Sequence, residues 1–244
     1  YRMAATFDAL LEQVESGLKR EQQFTSDVSH ELRTPVAAML LQCEDLLRDP
    51  ALDGEAREGL QMLRQKLRYL SQMISQLLLL SRADQGREKL SMEVLNFSEL
   101  AQMAAETARE QAEEKEITVL AAIQPDIFIF GDETLLIRFW MNLLNNAVSY
   151  GRQNGHIWID LKKENGAVWG SVRDDGIGIS QEDLPRIWER FFQADPSRTS
   201  QESSGLVLSM VQWIVKAHRG SIQVQSRLGE GTEFVFRFPL PDSM

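Results

Sequence analysis

Several short stretches of the 244-residue chain set groups with chemical potential at fixed spacings. In "SHELRTP", Ser29 to Pro35, His30 is followed at once by Glu31 and, four residues on, by Thr34. An imidazole with an ordinary pKa of about 6.5 is largely neutral at pH 7, which leaves one ring nitrogen as a nucleophile. An adjacent carboxylate can hold the N–H of the other nitrogen and stabilise the charge that develops. In "NLLNNAVSYG", Asn142, Asn146 and Tyr150 stand at successive four-residue steps, so on a helix they project from one face. An amide oxygen beside substrate phosphates suits a hard Mg²⁺ ion, and an aromatic ring can pack on a base. "DDGIGI" sets Asp174 ahead of Gly176 and Gly178, whose missing side chains permit tight turning and close approach of a ligand. Taken singly, each stretch also has a plain reading: a surface histidine, capping or core asparagines, a common turn.

The elements that must carry these groups show in the periodicity. Phe24, Val28, Leu32, Val36, Met39, Cys43 and Leu46 recur every three or four residues, which is a helix stripe. At about 100° per residue His30 falls nearly opposite that stripe and is expected to face solvent. Pro35 cannot donate to the carbonyl of Glu31, so the helix is expected to bend there. "RDPALDGEA" supplies turn chemistry, after which Leu63, Leu67, Leu70, Ile74 and Leu77 repeat at steps of four and three. Two such helices form an antiparallel hairpin that cannot bury both apolar faces alone, and near-heptad spacing suits a four-helix bundle made by a homodimer. Packing of the hairpin on the C-terminal part of its own chain is the competing reading.

Periodicity fades around "SRADQGREKLSMEVLNF", and the remainder reads as α/β. The pattern predicts a helix from about 98 to 114, strands at "ITVLAAI" and "IFIFGD", and a helix from about 134 to 150. A strand pair "HIWIDLKK" and "AVWGSVRDD", a helix from about 206 to 218 and a hairpin of "SIQVQSR" with "TEFVFRFP" follow. A domain boundary is expected near residue 90, between a helical domain over 21–90 and an α/β domain over 91–244, with a helix or linker over 1–20.

Bulk composition bounds the function. With 43% hydrophobic and 25% charged residues the chain is globular and long enough for two domains. A formal net charge of −10 argues against a general nucleic-acid or anionic-membrane surface, because those need clustered Lys and Arg. A lone cysteine, Cys43, excludes an internal disulfide and reads as a small buried apolar group. His156 and His218 show no ligand spacing with His30, so metal binding accounts for that histidine poorly. No run approaches the ~20 apolar residues of a membrane span, and "YRMAATFDAL" lacks the regions of a signal peptide. The chain is therefore expected to be soluble and, opening on Tyr1, to be part of something longer.

In this context "FTSDVSHELRTP" closely resembles the H-box of the two-component sensor histidine kinases. The stretches around Asn142 and Asp174 resemble the N-box and first glycine box of the ATP-binding domain shared with gyrase, Hsp90 and mismatch-repair ATPases. "PRIWERFFQADPSR" resembles the family's F-box, with Phe191 and Phe192 at the hinge of a lid and Arg198 within it. The motifs stand in the family's order and cover about residues 20 to 240. The resemblance implies a dimerisation and phosphotransfer hairpin followed by an α/β sandwich that binds ATP. His30 would be the phosphoacceptor, Glu31 the general base, and Thr34 a participant in phosphatase action on the partner. Asp174 would accept from the adenine amino group, Asn146 ligate Mg²⁺, Asn142 contact the metal and phosphate region, and Tyr150 border the base. Gly176, Gly178, Gly205 and Leu206 would complete the nucleotide site. Implied partners are a second copy, the receiver domain of a response regulator and an upstream sensor segment anchored in the cell membrane. The chain would then be its cytoplasmic portion, and residues 1–20 its signalling helix.

Two departures keep another reading open. The family's second glycine box usually reads GxGLGL, whereas this chain has "SSGLVL", with Ser203 and Val207 where glycines are usual. A β-branched side chain there adds bulk where backbone N–H groups would approach phosphates. Ser149 stands where relatives commonly carry Lys or Arg. Both point to an ATP-impaired or phosphatase-dominant signalling module as the alternative to an active kinase. A gyrase-like ATPase acting on another macromolecule, with a purely structural hairpin, is disfavoured by the H-box.

Overall fold

The computed structural model describes residues 27–29, 31–194 and 205–241. The expectations for residues 1–20, His30, Arg198 and Ser203 lie outside the described residues. The chain divides into two compact units, Tyr1–Lys89 and Leu90–Met244.

In the first unit, helix α1 covers residues 31–47 and continues through Pro35; residues 27–29 are also helical. Helix α2 spans Gly54–Asp84. The turn between them is closed by side chains. Asp49 accepts from the Ala51 N–H at 2.8 Å, and Asp53 caps α2 by accepting from Ala56 N–H at 2.7 Å. Arg57 reaches back to donate to the carbonyls of Leu47 at 3.0 Å and Asp49 at 2.9 Å, satisfying groups that the end of α1 leaves open.

The core of the hairpin is Val36, Cys43, Leu67, Ile74 and Leu78, with Leu40, Leu47 and Leu60 packed against it. Cys43 is 3% exposed and its thiol donates to the carbonyl of Leu60, so it fills the small apolar role read for it. Within one chain the stripe expected from spacing divides into a covered and an uncovered part. Val36 and Cys43 turn inward, while Leu32, Met39 and Leu46 remain exposed. On α2, Leu67 and Ile74 are buried and Leu63 and Leu70 are not. One helix can cover only the side of its neighbour that faces it, and a stripe wider than that contact overflows.

The second unit begins with strand β1, Met92–Asn96, which sequence periodicity missed. It pairs antiparallel with β3, Phe128–Asp132, setting Val94 opposite Phe130. Five half-exposed residues without alternation carry no local strand signal, and the partner that makes β1 a strand is distant in sequence. The other strands are β2 (Thr118–Ile123), β4 (His156–Glu164), β5 (Ala167–Asp174), β6 (Ser221–Arg227) and β7 (Gly231–Pro239). They form a sheet in the order β2-β4-β5-β7-β6, with β2 and β4 parallel and the other pairs antiparallel.

Helices α3 (Phe97–Ala112), α4 (Glu133–Tyr150) and α5 (Val207–Ala217) form the second layer of the sandwich. Alternate residues of the strands supply the core, among them Ile157, Ile159, Leu161, Phe234, Phe236 and Phe238. These meet Phe97, Phe139 and Trp140 from the helices in edge-to-face contacts, Phe139 to Phe236 at 4.9 Å and Trp140 to Phe236 at 5.2 Å between centroids. Fully burying such a side chain contributes on the order of 2 kcal/mol. His218 belongs to this framework. It is 3% exposed; its Nε2 accepts from Asp132 N–H at 3.0 Å and its Nδ1 lies 2.7 Å from the Ile214 carbonyl, so it donates there. Burial holds its pKa below the usual value, so it is a neutral structural group.

Candidate functional site

The carboxyl end of β5, the second half of α4 and the start of α5 enclose a cavity of about 430 Å³, within the range of small-molecule sites. Helix α4 starts where Asp132 accepts from Leu135 N–H at 3.1 Å and ends at Gly151, which is extended. Of the three residues spaced along it, Asn146 and Tyr150 line the cavity. Asn142, one turn earlier, is 8% exposed, stands outside the lining, and its Nδ2 has no hydrogen-bond partner among the described residues. Three residues on one face of a helix thus meet different surroundings, because the helix runs from the interior to the rim.

Asp174 is the last residue of β5 and 6% exposed. Burial pushes its carboxyl pKa up to about 6, against the opposing effect of hydrogen bonds from the backbone N–H groups of Gly176 and Thr232; the neighbouring charge of Asp175 adds to the rise. The Gly176 bond is 2.9 Å. Asp175 behaves in the opposite way. Burial raises it, but hydrogen bonds from the His156 backbone and ring and from Arg152 outweigh that, and its pKa is lowered. The Arg152 contact is 2.9 Å, and this side chain is turned from the cavity lining into an ion pair.

The glycines have distinct roles. Gly176 is outside the lining: a Cβ on it would strike the Tyr150 carbonyl, which accepts from Ile177 N–H at 3.1 Å. Gly178 lines the cavity at φ +66°, and a Cβ there would strike the Arg227 carbonyl. Gly205 lines it at φ +64°, its carbonyl accepts from Phe191 N–H at 2.9 Å, and a Cβ would come within 2.7 Å of Phe191 Cα. Leu206 is wholly buried and outside the lining. It is the first-turn anchor of α5, its carbonyl accepting from Met210 N–H at 3.0 Å and from Ser209 Oγ at 2.9 Å.

Of the two F-box phenylalanines, Phe192 lines the cavity with the Arg186 guanidinium 4.3 Å over its ring. Phe191 is 58% exposed at φ +63°, a conformation that strains a bulky residue.

Spacing did not single out the apolar wall made by Ile177, Ile179, Ile187, Leu208, Leu228 and Phe234. These come from four separate segments, and their shared feature exists only in the fold. The wall presents an apolar surface to the cavity, and Asp174 sets a buried hydrogen-bond acceptor beside it. Among the described residues no side chain caps the start of α5, so its first N–H groups can face an anion. Val207 lines the cavity at that point, and no Lys or Arg belongs to the described lining. The residues fit a nucleotide: a base against the wall and Asp174, and phosphates toward α5 and Asn146. Among the described residues there is no cluster of three His, Cys, Asp or Glu side chains for a metal. A Mg²⁺ ion would be held by Asn146 together with phosphate oxygens.

Glu31 and Thr34 are exposed on α1, in the other unit. Among the described residues no helix is long and apolar enough to cross a membrane.

Comparison with known proteins gives two family matches. Residues 20–86 match the His Kinase A (phospho-acceptor) domain, and residues 131–242 match the histidine kinase-, DNA gyrase B-, and HSP90-like ATPase. The sensor histidine kinase YclK of Bacillus subtilis is 28% identical over 98% of this chain and 50% of its own length. The sensor histidine kinase RppB of Synechocystis is 32% identical over 91% of this chain and 50% of its own length. The chain therefore spans about half the length of these curated relatives. Among solved structures, full-length ShkA in complex with AMPPNP is similar at a TM-score of 0.74 and 27% identity, over 91% of this chain and 47% of that one.

Proposed function

The chain belongs to the sensor histidine kinases, and from that premise we propose that it transfers the γ-phosphoryl of Mg-ATP to His30 and then to an aspartate of a response regulator. The cavity carries this reading: an apolar wall, the buried acceptor Asp174 and a helix start with no side-chain cap among the described residues, in the same chain as "SHELRTP". Bound Mg-ATP would supply the phosphoryl group. The chain's own residues orient the base at Asp174, keep water from it along the Ile177 and Ile187 wall, and present Glu31 beside His30 to hold its second ring N–H. Phosphoryl transfer needs positioning and charge neutralisation more than covalent help, which suits a donor unit separate from the acceptor helix. Thr34, exposed four residues after His30, is assigned to the phosphatase reaction on the regulator. In the whole protein an upstream sensor segment would anchor it in the membrane. Incubation with γ-labelled ATP and Mg²⁺ tests the reaction: the expected label is acid-labile, as a phosphohistidine is, and acid-stable label or none would remove the kinase reading.

The hairpin would pair with a second copy. Leu32, Met39 and Leu46 lie seven residues apart on the uncovered side of α1, and Leu63 and Leu70 do the same on α2, the spacing of a coiled-coil seam. Leu70→Lys is expected to convert the dimer to a monomer in sedimentation at micromolar concentration. An unchanged dimer mass would mean that another surface holds the copies together.

Val207 in the lining favours a second reading, a signalling module with weakened ATP binding. Val207→Gly is expected to tighten ATP about tenfold by letting phosphate approach the start of α5. Strong ATP affinity that this substitution leaves unchanged would dispose of the second reading.

A further inference from the structure

The geometry points to Lys115 as a positioning residue for the nucleotide site, acting through the end of α4. This rests on the cavity's binding nucleotide. Helix α4 has no basic residue in its own last turn, and the carbonyls of that turn have no intrahelical donors. Lys115, from the short 3-10 helix Glu113–Lys115, supplies them from outside. Its Nζ donates to the Val148 carbonyl at 2.9 Å and to the Ser149 carbonyl at 2.6 Å. A cation at a helix C-terminus is favoured by the helix dipole as well as by the hydrogen bonds.

The same residue fixes the chain beyond the helix. The Lys115 carbonyl accepts from Asn154 N–H at 3.0 Å, so both sides of the loop that follows α4 are tied to it. Glu116 adopts φ +51° and turns the chain sharply into β2, which leaves Lys115 on the inner side of an otherwise acidic run, "EEKE". What Lys115 holds is the turn that ends in Tyr150. Tyr150 lines the cavity, and its carbonyl receives Ile177 N–H at the start of the glycine loop. Asn146 lies one turn back on the same helix. With the ammonium gone, the last turn of α4 has two open carbonyls and frays, and Tyr150 and the loop carrying Ile177 and Gly178 lose their common anchor. Lys115 is outside the cavity lining, and its Nζ donates to two backbone carbonyls, so it holds the site's frame without touching ligand.

Calorimetric titration of the 244-residue chain with adenosine and with Mg-ATP, well below the unfolding temperature, tests this. Lys115→Met is expected to weaken both ligands by the same factor, about tenfold. Lys115→Arg, which keeps charge and donors, should restore both to within about twofold. Should Lys115→Met fail to fold, Lys115→Gln is read the same way with a smaller loss. In a Tyr150→Ala background the Lys115→Met loss should largely vanish, because the two act as a unit. Loss of ATP with adenosine unchanged would mean direct attraction to phosphate and would overturn the proposal. So would undiminished binding, an additive loss with Tyr150→Ala, or no rescue by Arg. Those results would leave the nucleotide site standing, whereas a wild-type chain that binds neither ligand would overturn both.

Discussion

Asp174→Asn is expected to weaken ATP by about 10- to 100-fold while leaving the fold as stable or more stable at neutral pH. The first half follows from the hydrogen bond that a base amino group would make to a buried carboxylate, worth about 1.5–3 kcal/mol when one partner is charged. The second follows from linkage. The folded-state pKa of Asp174 is about 6, above its ordinary 3.8. A raised pKa means that the native state binds the proton more tightly than the unfolded chain. The resulting stability is fully present below about pH 3.8 and is lost as pH rises through about 6. At pH 7 the ionised group therefore costs the fold up to about 3 kcal/mol, and a neutral amide of the same shape removes that cost. Nucleotide binding favours the ionised form, so wild-type affinity should decline as pH falls through 6, while the Asn variant should lose that dependence. Calorimetry from pH 5 to 8 and thermal unfolding at pH 7 read both halves. Full ATP affinity in the variant would remove Asp174 from base recognition.

His30→Gln is expected to abolish acid-labile phosphorylation altogether and to leave ATP affinity unchanged. The acceptor motif and the nucleotide cavity belong to separate compact units, so removing the imidazole takes nothing from the cavity lining. The remaining histidines sharpen the test. His218 is buried, with both ring nitrogens engaged by Asp132 and Ile214, and cannot serve as nucleophile without leaving the core. His156 is partly exposed, with Nδ1 3.1 Å from Asp175 and its ring stacked on Trp158 at 5.4 Å. Label that survived His30→Gln would point to His156, and His156→Gln alone should leave labelling intact. Phosphate that remained on the chain in the double variant would refute a histidine acceptor.

Much of the architecture was legible before any fold was known. Alternation in "HIWIDLKK" and "TEFVFRFP" marks strands buried on one face, and the ends of β4, β7 and α4 fall within a residue or two of where the pattern put them. Gly176 and Gly178 were readable as backbone requirements, and a side chain on either would strike a neighbouring carbonyl, of Tyr150 or of Arg227. Strand β1 was not readable, because its identity comes from pairing with β3 and not from its own five residues.

The site divides along the same line. Residue type and spacing settle local quantities: Asn142, Asn146 and Tyr150 share a helix face, and Asp174 ends a strand. Burial and pairing depend on chain that arrives from elsewhere. Burial in the folded unit raises the pKa of Asp174 against the hydrogen bonds that Gly176 and Thr232 give it, the depth of α4 puts Asn142 inside and Asn146 at the cavity, and α2 chooses which half of the α1 stripe it covers. Lys115 meets the Val148 and Ser149 carbonyls at the end of α4 for the same reason. A periodic pattern fixes an angle about an axis, while the field and the neighbours at that angle are set by contacts between segments far apart in the chain.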